Sequence, residues 1–294
     1  MPAARASKSK REIISILHCQ NDQSSLTEKD VLTLLEELKK ITTPKGLTHI
    51  DLLLNSPGGD IHAAYMMTCI LRSKCKTMNV IVPHYAKSAG TLMCLGANRI
   101  YMGQHSELGP LDAPLEHPLG KGIRLSALDG VKPLELLAEF SENLVISKMG
   151  LSIRGQVGLG RQESISLALG FVADFLQPIM AQLDPLLINM CYRYLEIAQK
   201  YGCELLERYM LNGTPHSHEV ATRAIRELVW NYPEHGYAIS IQEAKRIGLL
   251  VDEVETLSEW PVLWDYYKNK EEMGGTHIHV ITKEILGKKN LKGR

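Results

Sequence analysis

Apolar and polar positions along this chain fall into two rhythms. Nearly unbroken apolar runs of strand length occur at Ile13 to Cys19, Thr48 to Asn55 (THIDLLLN), Met78 to Pro83 (MNVIVP) and Arg99 to Met102. Between them, apolar residues recur near i, i+3 and i+4, as on one helix face: the run EKDVLTLLEELKK after Thr27, Ile61 to Arg72, and a stretch to about Ala97. Thr27 suits a helix N-cap, with acidic residues in the first turn and lysines in the last. Continuous apolar strands alternating with helices predict a parallel sheet covered on both faces, an α/β fold.

From Pro133 to Trp230 the strand signal gives way to helices. Pro133 suits a first helical position, Asp184-Pro185 an N-cap and first residue, and Ser217 the cap of a segment running to Trp230. Ser240 and Glu243 then read as a capping box, Gly248 ends that helix, and Leu249 to Val254 returns to strand. The pattern predicts one α/β domain over residues 12–256, with a largely helical insertion at 133–230. A basic tail (1–11) precedes it, and an extension with a basic tail (257–294) follows. No internal repeat is present.

Composition narrows the function classes. Of 294 residues, 45% are hydrophobic and 22% charged, enough for a substantial core. Thirty-three basic residues balance thirty-three acidic ones, so no whole-molecule field draws in nucleic acid. No run free of Asp, Glu, Lys and Arg is longer than the 11 residues of Ser88 to Asn98, short of the roughly 18–20 residues that cross a bilayer, so no membrane span is expected. MPAARASKSKR is not followed by a signal-peptide apolar region, and the six cysteines include no C-x-x-C pair; both point to the cytoplasm. The pairs His216/His218 and His277/His279 lack the Cys or carboxylate partners of a metal set, and no metal is expected. The terminal run KEILGKKNLKGR reads as a solvated end.

In parallel sheets, chemistry gathers where strands feed helices. Two such corners stand about thirty residues apart: Ser56-Pro57-Gly58-Gly59-Asp60 and Ala86-Lys87-Ser88-Ala89-Gly90-Thr91. Gly58 and Gly59 remove side chains at the first, so backbone N–H groups can approach a ligand and hold a developing oxyanion; the alternative is a plain turn. At the second, Ser88 follows a buried strand and opens a helix among small residues. That is the logic of a nucleophile elbow, with the Ala89 N–H facing the same oxygen; the alternative is a simple N-cap serine.

These residues resemble a known family. LLLNSPGGDIHAA, IVPHYAKSAGTLMCLGANRIYM, SELGPLDAP and HGYAISIQEAKRIGLLVDEV are similar to the serine dehydrogenase proteinase-like peptidases. These belong to the superfamily of the Clp protease proteolytic subunit, signal peptide peptidase A and, more remotely, the crotonases. The resemblance implies a Clp/crotonase-like core, no cofactor and a peptide or protein substrate. It also implies assembly into homo-oligomers; a separate ATPase partner, if any, has no signal in the sequence. It assigns the oxyanion hole to Gly58, Gly59 and Ala89 and the nucleophile to Ser88.

The base is less direct. Where Clp-type enzymes carry their catalytic His, Leu111 stands, with Asp112 beside it. A signal peptide peptidase A-type lysine would fall on Lys132, and His235 lies where the Clp-type Asp region falls; Lys132 is preferred and His235 second, with His105 and His117 as further histidines. Lys87, next to Ser88, reads as a structural cation, and Asp112 either lines the cleft or caps a turn. A serine peptidase is the leading reading, against an inactive oligomeric scaffold of the same fold and a crotonase-type acyl-CoA enzyme.

Overall fold

The computed structural model describes residues 11–19, 25–41, 48–112, 114–116, 124–149, 155–156 and 158–281. The basic N-terminal tail up to residue 10, His117 and the basic C-terminal run from 282 lie outside the described residues. The chain divides into two compact units, one formed by 1–113 with 195–294 and the other by 114–194.

The first unit is the predicted α/β assembly. Its strands are β1 (Arg11–Cys19), β2 (His49–Asn55), β3 (Thr77–Val82), β5 (Arg99–Met102), β9 (Val251–Glu253) and β10 (Gly275–Ile281). They form one sheet in the order β10-β1-β2-β3-β5-β9, parallel throughout except for the antiparallel β10–β1 pair. Two-residue strands β4 (Tyr85–Ala86) and β6 (Glu107–Leu108) pair beside it. Helices α1 (Glu28–Lys39), α2 (Ile61–Lys74) and α3 (Ala89–Leu95) follow the strands that feed them.

The apolar runs became strands because both faces are covered. Ile14, Ile16, Leu52, Leu53, Leu54, Val80 and Ile81 are fully buried. The one charge in the middle of this sheet, Asp51, is buried and compensated by Arg11, by His49 Nε2 at 2.9 Å and by Asn79 Nδ2 at 3.2 Å. Burial raises its carboxyl, but the His49 and Arg11 interactions outweigh that and hold it below the ordinary range. Residues beyond 256, read from sequence as an extension, supply α9 (Trp260–Met273) and the edge strand β10; Leu263 and Tyr267 of α9 pack on Ile13, Leu17 and Leu53.

The second unit comprises the hairpin β7 (Pro114–Glu116) and β8 (Arg124–Ser126), α4 (Ala127–Glu142) continuing as a π-helical turn to Met149, α5 (Arg161–Met180) and the first half of α6 (Pro185–Leu205). Pro133 does not start a helix. Ser126 caps α4 by accepting the Asp129 N–H at 3.2 Å, and Pro133 sits inside it, exposed. Lys132 is therefore a helical residue, not a loop residue before a helix. Asp184 caps α6 as predicted, its Oδ1 accepting the Leu186 N–H at 2.8 Å.

Two further corrections concern the following helices. His216, not Ser217, takes the cap position of α7 (Ser217–Arg226), in a left-handed conformation. Ser240 caps α8 (Ile241–Arg246) by accepting the Glu243 N–H, while the Glu243 carboxylate pairs with Arg246. The absence of a long charge-free run did not exclude a membrane-length helix: α5, with charges well spaced, is long and apolar enough to cross a bilayer by length and composition, and only 17% of its apolar window is buried. Among the described residues, no group of three His, Cys, Asp or Glu could hold a metal.

Candidate active site

The two glycine- and serine-bearing corners come together at the carboxyl ends of β2 and β3. Ser56 N–H donates to the Tyr85 carbonyl at 2.9 Å and Lys87 N–H to the Ser56 carbonyl at 2.9 Å, stitching one corner to the other. Asn55, fully buried, adds a second stitch: its Oδ1 accepts the Tyr85 N–H at 3.1 Å and its Nδ2 donates to the His18 carbonyl at 3.1 Å. Sequence reading passed over Asn55, although a polar residue closing an otherwise apolar strand was its signal.

Gly58 (φ 103°) and Gly59 (φ 138°) both occupy backbone space that side chains rarely enter. The space is also physically filled. A Cβ on Gly58 would lie 2.9 Å from both the Lys87 carbonyl oxygen and Ser88 Cβ, and one on Gly59 would lie 2.3 Å from the Leu26 carbonyl oxygen. Leu26, another residue the sequence did not single out, clamps this corner through its N–H to the Gly58 carbonyl (2.7 Å) and its carbonyl to the Asp60 N–H (2.8 Å). Asp30 secures the clamp from beneath, its carboxylate accepting from Thr27 N–H at 2.8 Å and Thr27 Oγ1 at 2.9 Å. The Gly58 N–H donates to Ser56 Oγ at 3.2 Å, whereas among the described residues the Gly59 and Ala89 N–H groups have no acceptor.

Ser88 has φ 48° and ψ −116°, one of two described non-glycine residues with positive φ. It precedes α3, yet its hydroxyl caps nothing; Oγ donates to the Asp112 carbonyl at 3.1 Å, so the simple N-cap alternative does not hold. The residue is 5% exposed. Thr91 supports the corner from behind, its Oγ1 bridging the carbonyls of Ala86 (2.7 Å) and Gly109 (2.8 Å).

The predicted partners separate into three groups. Asp112 is buried beside Ser88, and its Oδ2 faces His235 Nδ1 at 3.7 Å; that nitrogen is buried and makes no hydrogen bond. Lys87 runs away from the hydroxyl, with Nζ paired to Glu107 at 2.7 Å and close to the Tyr237 carbonyl at 3.3 Å. Its stem lies against Gly109, where a Cβ would come within 2.6 Å of Lys87 Cδ. Lys132 is half-buried on α4 in the other unit. His105 lines a separate shallow cavity with Pro83, Ser106, Trp260 and Trp264. A hydroxyl on a strained corner, two N–H groups without an acceptor among the described residues, and a carboxylate that faces a histidine from the residue whose carbonyl takes the Ser88 hydroxyl are groups of the kind acyl transfer uses.

The chain was compared with known proteins. Residues 8–125 match the model of the ClpP-like SDH-type serine proteinases. An uncharacterized Methanocaldococcus jannaschii protein, MJ0137, is 28% identical over 227 residues, which cover 77% of this chain and 61% of that one. Another from that organism, MJ1495, is 37% identical over 70 residues, 24% of each chain. This chain thus spans less than two thirds of either relative. Two mutant structures described as 1510-N membrane-bound stomatin-specific protease align with TM-scores of 0.34. The first is 16% identical and covers 54% of this chain and 70% of that one; the second, in complex with a substrate peptide, is 15% identical and covers 90% and 100%. The matched segment contains Gly58, Gly59, Ser88, Ala89 and Asp112, and leaves Lys132 and His235 outside. The resemblance read from the two corners is therefore borne out: over residues 8–125 this chain carries the sequence pattern of the ClpP-like SDH-type serine proteinase family.

Proposed function

We propose that this chain is a serine peptidase with Ser88 as nucleophile. The observation that carries the reading is the Ser88 backbone, held at φ 48° with a hydroxyl that does no capping. Strain of this kind costs about 1–3 kcal/mol and persists where function requires the side chain. Ser88 Oγ attacks the peptide carbonyl, and the Ala89 and Gly59 N–H groups hold the oxyanion. Gly58 serves by shape, since its own N–H is spent on Ser56.

The Asp112–His235 couple is the base in this reading. With His235 Nδ1 turned toward the buried carboxylate, Nε2 remains to take the hydroxyl proton and return it to the leaving amine. Water then attacks the acyl-enzyme by the same route in reverse. Free cysteines throughout the described chain suit a reducing compartment and support a cytoplasmic location.

A fluorophosphonate probe tests the reading. Wild type labels, Ser88→Ala does not, His235→Ala labels slowly and Lys132→Ala labels normally. Equal labelling of wild type and Ser88→Ala, or none of either, overturns the nucleophile. Loss in Lys132→Ala with His235→Ala unaffected moves the base to Lys132.

A further inference from the structure

Lys87 makes more bonds than a cation flanking a helix requires. Its backbone N–H donates to the Ser56 carbonyl at 2.9 Å and its carbonyl accepts the Gly90 N–H at 2.7 Å, so its main chain is built into the nucleophile's corner. The side chain is only 16% exposed, and three acceptors face the three donors of its ammonium. They are Glu107 Oε1 at 2.7 Å, the Tyr237 carbonyl at 3.3 Å and the Gly236 carbonyl at 3.4 Å. With its donors spent there and its stem laid along Gly109, this lysine is not placed to take a proton from Ser88.

The two carbonyls belong to the turn that carries His235. That turn is closed by the Tyr237 N–H, which donates to the Glu234 carbonyl at 3.3 Å, and its flanks are anchored elsewhere. Ile239 exchanges two backbone hydrogen bonds with Leu108 at 3.0 Å, and the Tyr232 and Tyr237 hydroxyls donate to Glu243 at 3.3 and 3.5 Å. The His235 ring does not fix the turn itself. It is 32% exposed, and its Nδ1 faces Asp112 Oδ2 at 3.7 Å without a hydrogen bond. A general base has to be held to a fraction of an ångström, since a displacement of about 1 Å can cost about 10²-fold in rate. We propose that Lys87 is a positioning residue, whose ammonium holds the turn bearing His235 against Asp112 from the position next to the nucleophile. This rests on the serine peptidase reading with His235 as its base. Because one residue is bonded into both parts, the turn follows the corner and the spacing between Ser88 and His235 is kept.

Lys87→Met keeps an unbranched stem on Gly109 and removes the ammonium. In labelling by a fluorophosphonate probe, Ser88 Oγ bonds to phosphorus, fluoride leaves and His235 takes the hydroxyl proton. Lys87→Met lowers the labelling rate at saturating probe about 10–100-fold, with the half-saturating concentration within about twofold of wild type. In a His235→Ala background it adds nothing beyond about twofold, because a residue that acts through His235 loses its effect with it. Nitrogen-15 NMR of the neutral His235 ring reads the placement without activity: wild type carries hydrogen on Nδ1, toward Asp112, and Lys87→Met shifts it to Nε2. Gly109→Ala, whose Cβ meets Lys87 Cδ at 2.6 Å, displaces the ammonium without removing it and moves both readouts the same way, so the test survives a Lys87→Met that does not fold. Wild-type labelling in the variants, a slowing that adds in full to His235→Ala, a changed half-saturation with the rate intact, or an unmoved His235 tautomer overturns the proposal. Failure of the peptidase reading looks different: Ser88→Ala labels as fast as wild type, or neither labels, and the tautomer still decides the role of Lys87.

Discussion

The two corners of the candidate site reach unusual backbone conformations by opposite means. The first uses glycine at φ 103° and 138°, where the absence of a side chain makes the geometry cheap in the folded state. The second places a serine at φ 48° and accepts the strain. In the proposed reading the difference follows from what each supplies. Backbone N–H groups need no side chain, so the first corner is relaxed and clamped from outside by Leu26. A hydroxyl needs one, so the second corner is strained and held by Thr91 and the Ser56–Tyr85 stitch.

That contrast can be broken experimentally. Ser88→Ala keeps the second corner and removes its purpose: hydrolysis of peptide substrates should fall at least about 10³-fold with the thermal midpoint little changed. Retained turnover would reduce the corner to architecture. His235→Ala should cost about 10²–10⁴-fold in kcat, the range for a lost general base, and a steady-state assay beside Lys132→Ala tells which residue carries the proton.

Gly59→Ala attacks the relaxed corner. The new Cβ meets the Leu26 carbonyl at 2.3 Å, so urea unfolding should report a loss of about 3 kcal/mol, and displacement of the oxyanion donor about 10²–10³ in rate. Ser88→Gly does the reverse. By releasing the positive-φ strain it should raise stability by about 1 kcal/mol while abolishing activity; an unchanged or lower stability would mean that the corner stores none.

The smallest effect concerns the clamp. Burial raises the Asp30 carboxyl, but the His18 ring 3.8 Å away and the two Thr27 hydrogen bonds outweigh it, leaving the carboxyl below the ordinary aspartate range. A depressed folded value means stability that is fully present above the unfolded value and lost as pH falls through the folded one. Asp30→Asn should therefore cost about 1 kcal/mol at neutral pH, with the difference from wild type vanishing in acid. A gap that persists in acid would assign the effect to packing rather than charge.

Much of this was legible in the chain. β5 runs from Arg99 to Met102 as read, and β1 to β3 agree with the apolar runs to within two residues at either end. Asp184 caps its helix as read, through a contact only two residues long, and such contacts are written locally. Pro133 misled because proline favours a first turn on average, while Ser126 offered a better cap seven residues earlier. The extension beyond 256 read poorly for another reason. An edge strand such as β10 is specified by its partner, and β1 lies more than 250 residues away in sequence.

By itself the sequence determined the α/β class, the two corners and Ser88, because apolar periodicity, glycine pairs and small residues around a serine are local signals. Only the tertiary structure decided which N–H groups remain unspent, that Lys87 turns away to Glu107, that Leu26 clamps the glycines, and that Asp112 meets His235 across 123 positions of chain. Those are questions of direction and distance between segments far apart in sequence. No local pattern encodes them, because they are fixed only when the sheet closes and the strand ends arrive at one edge.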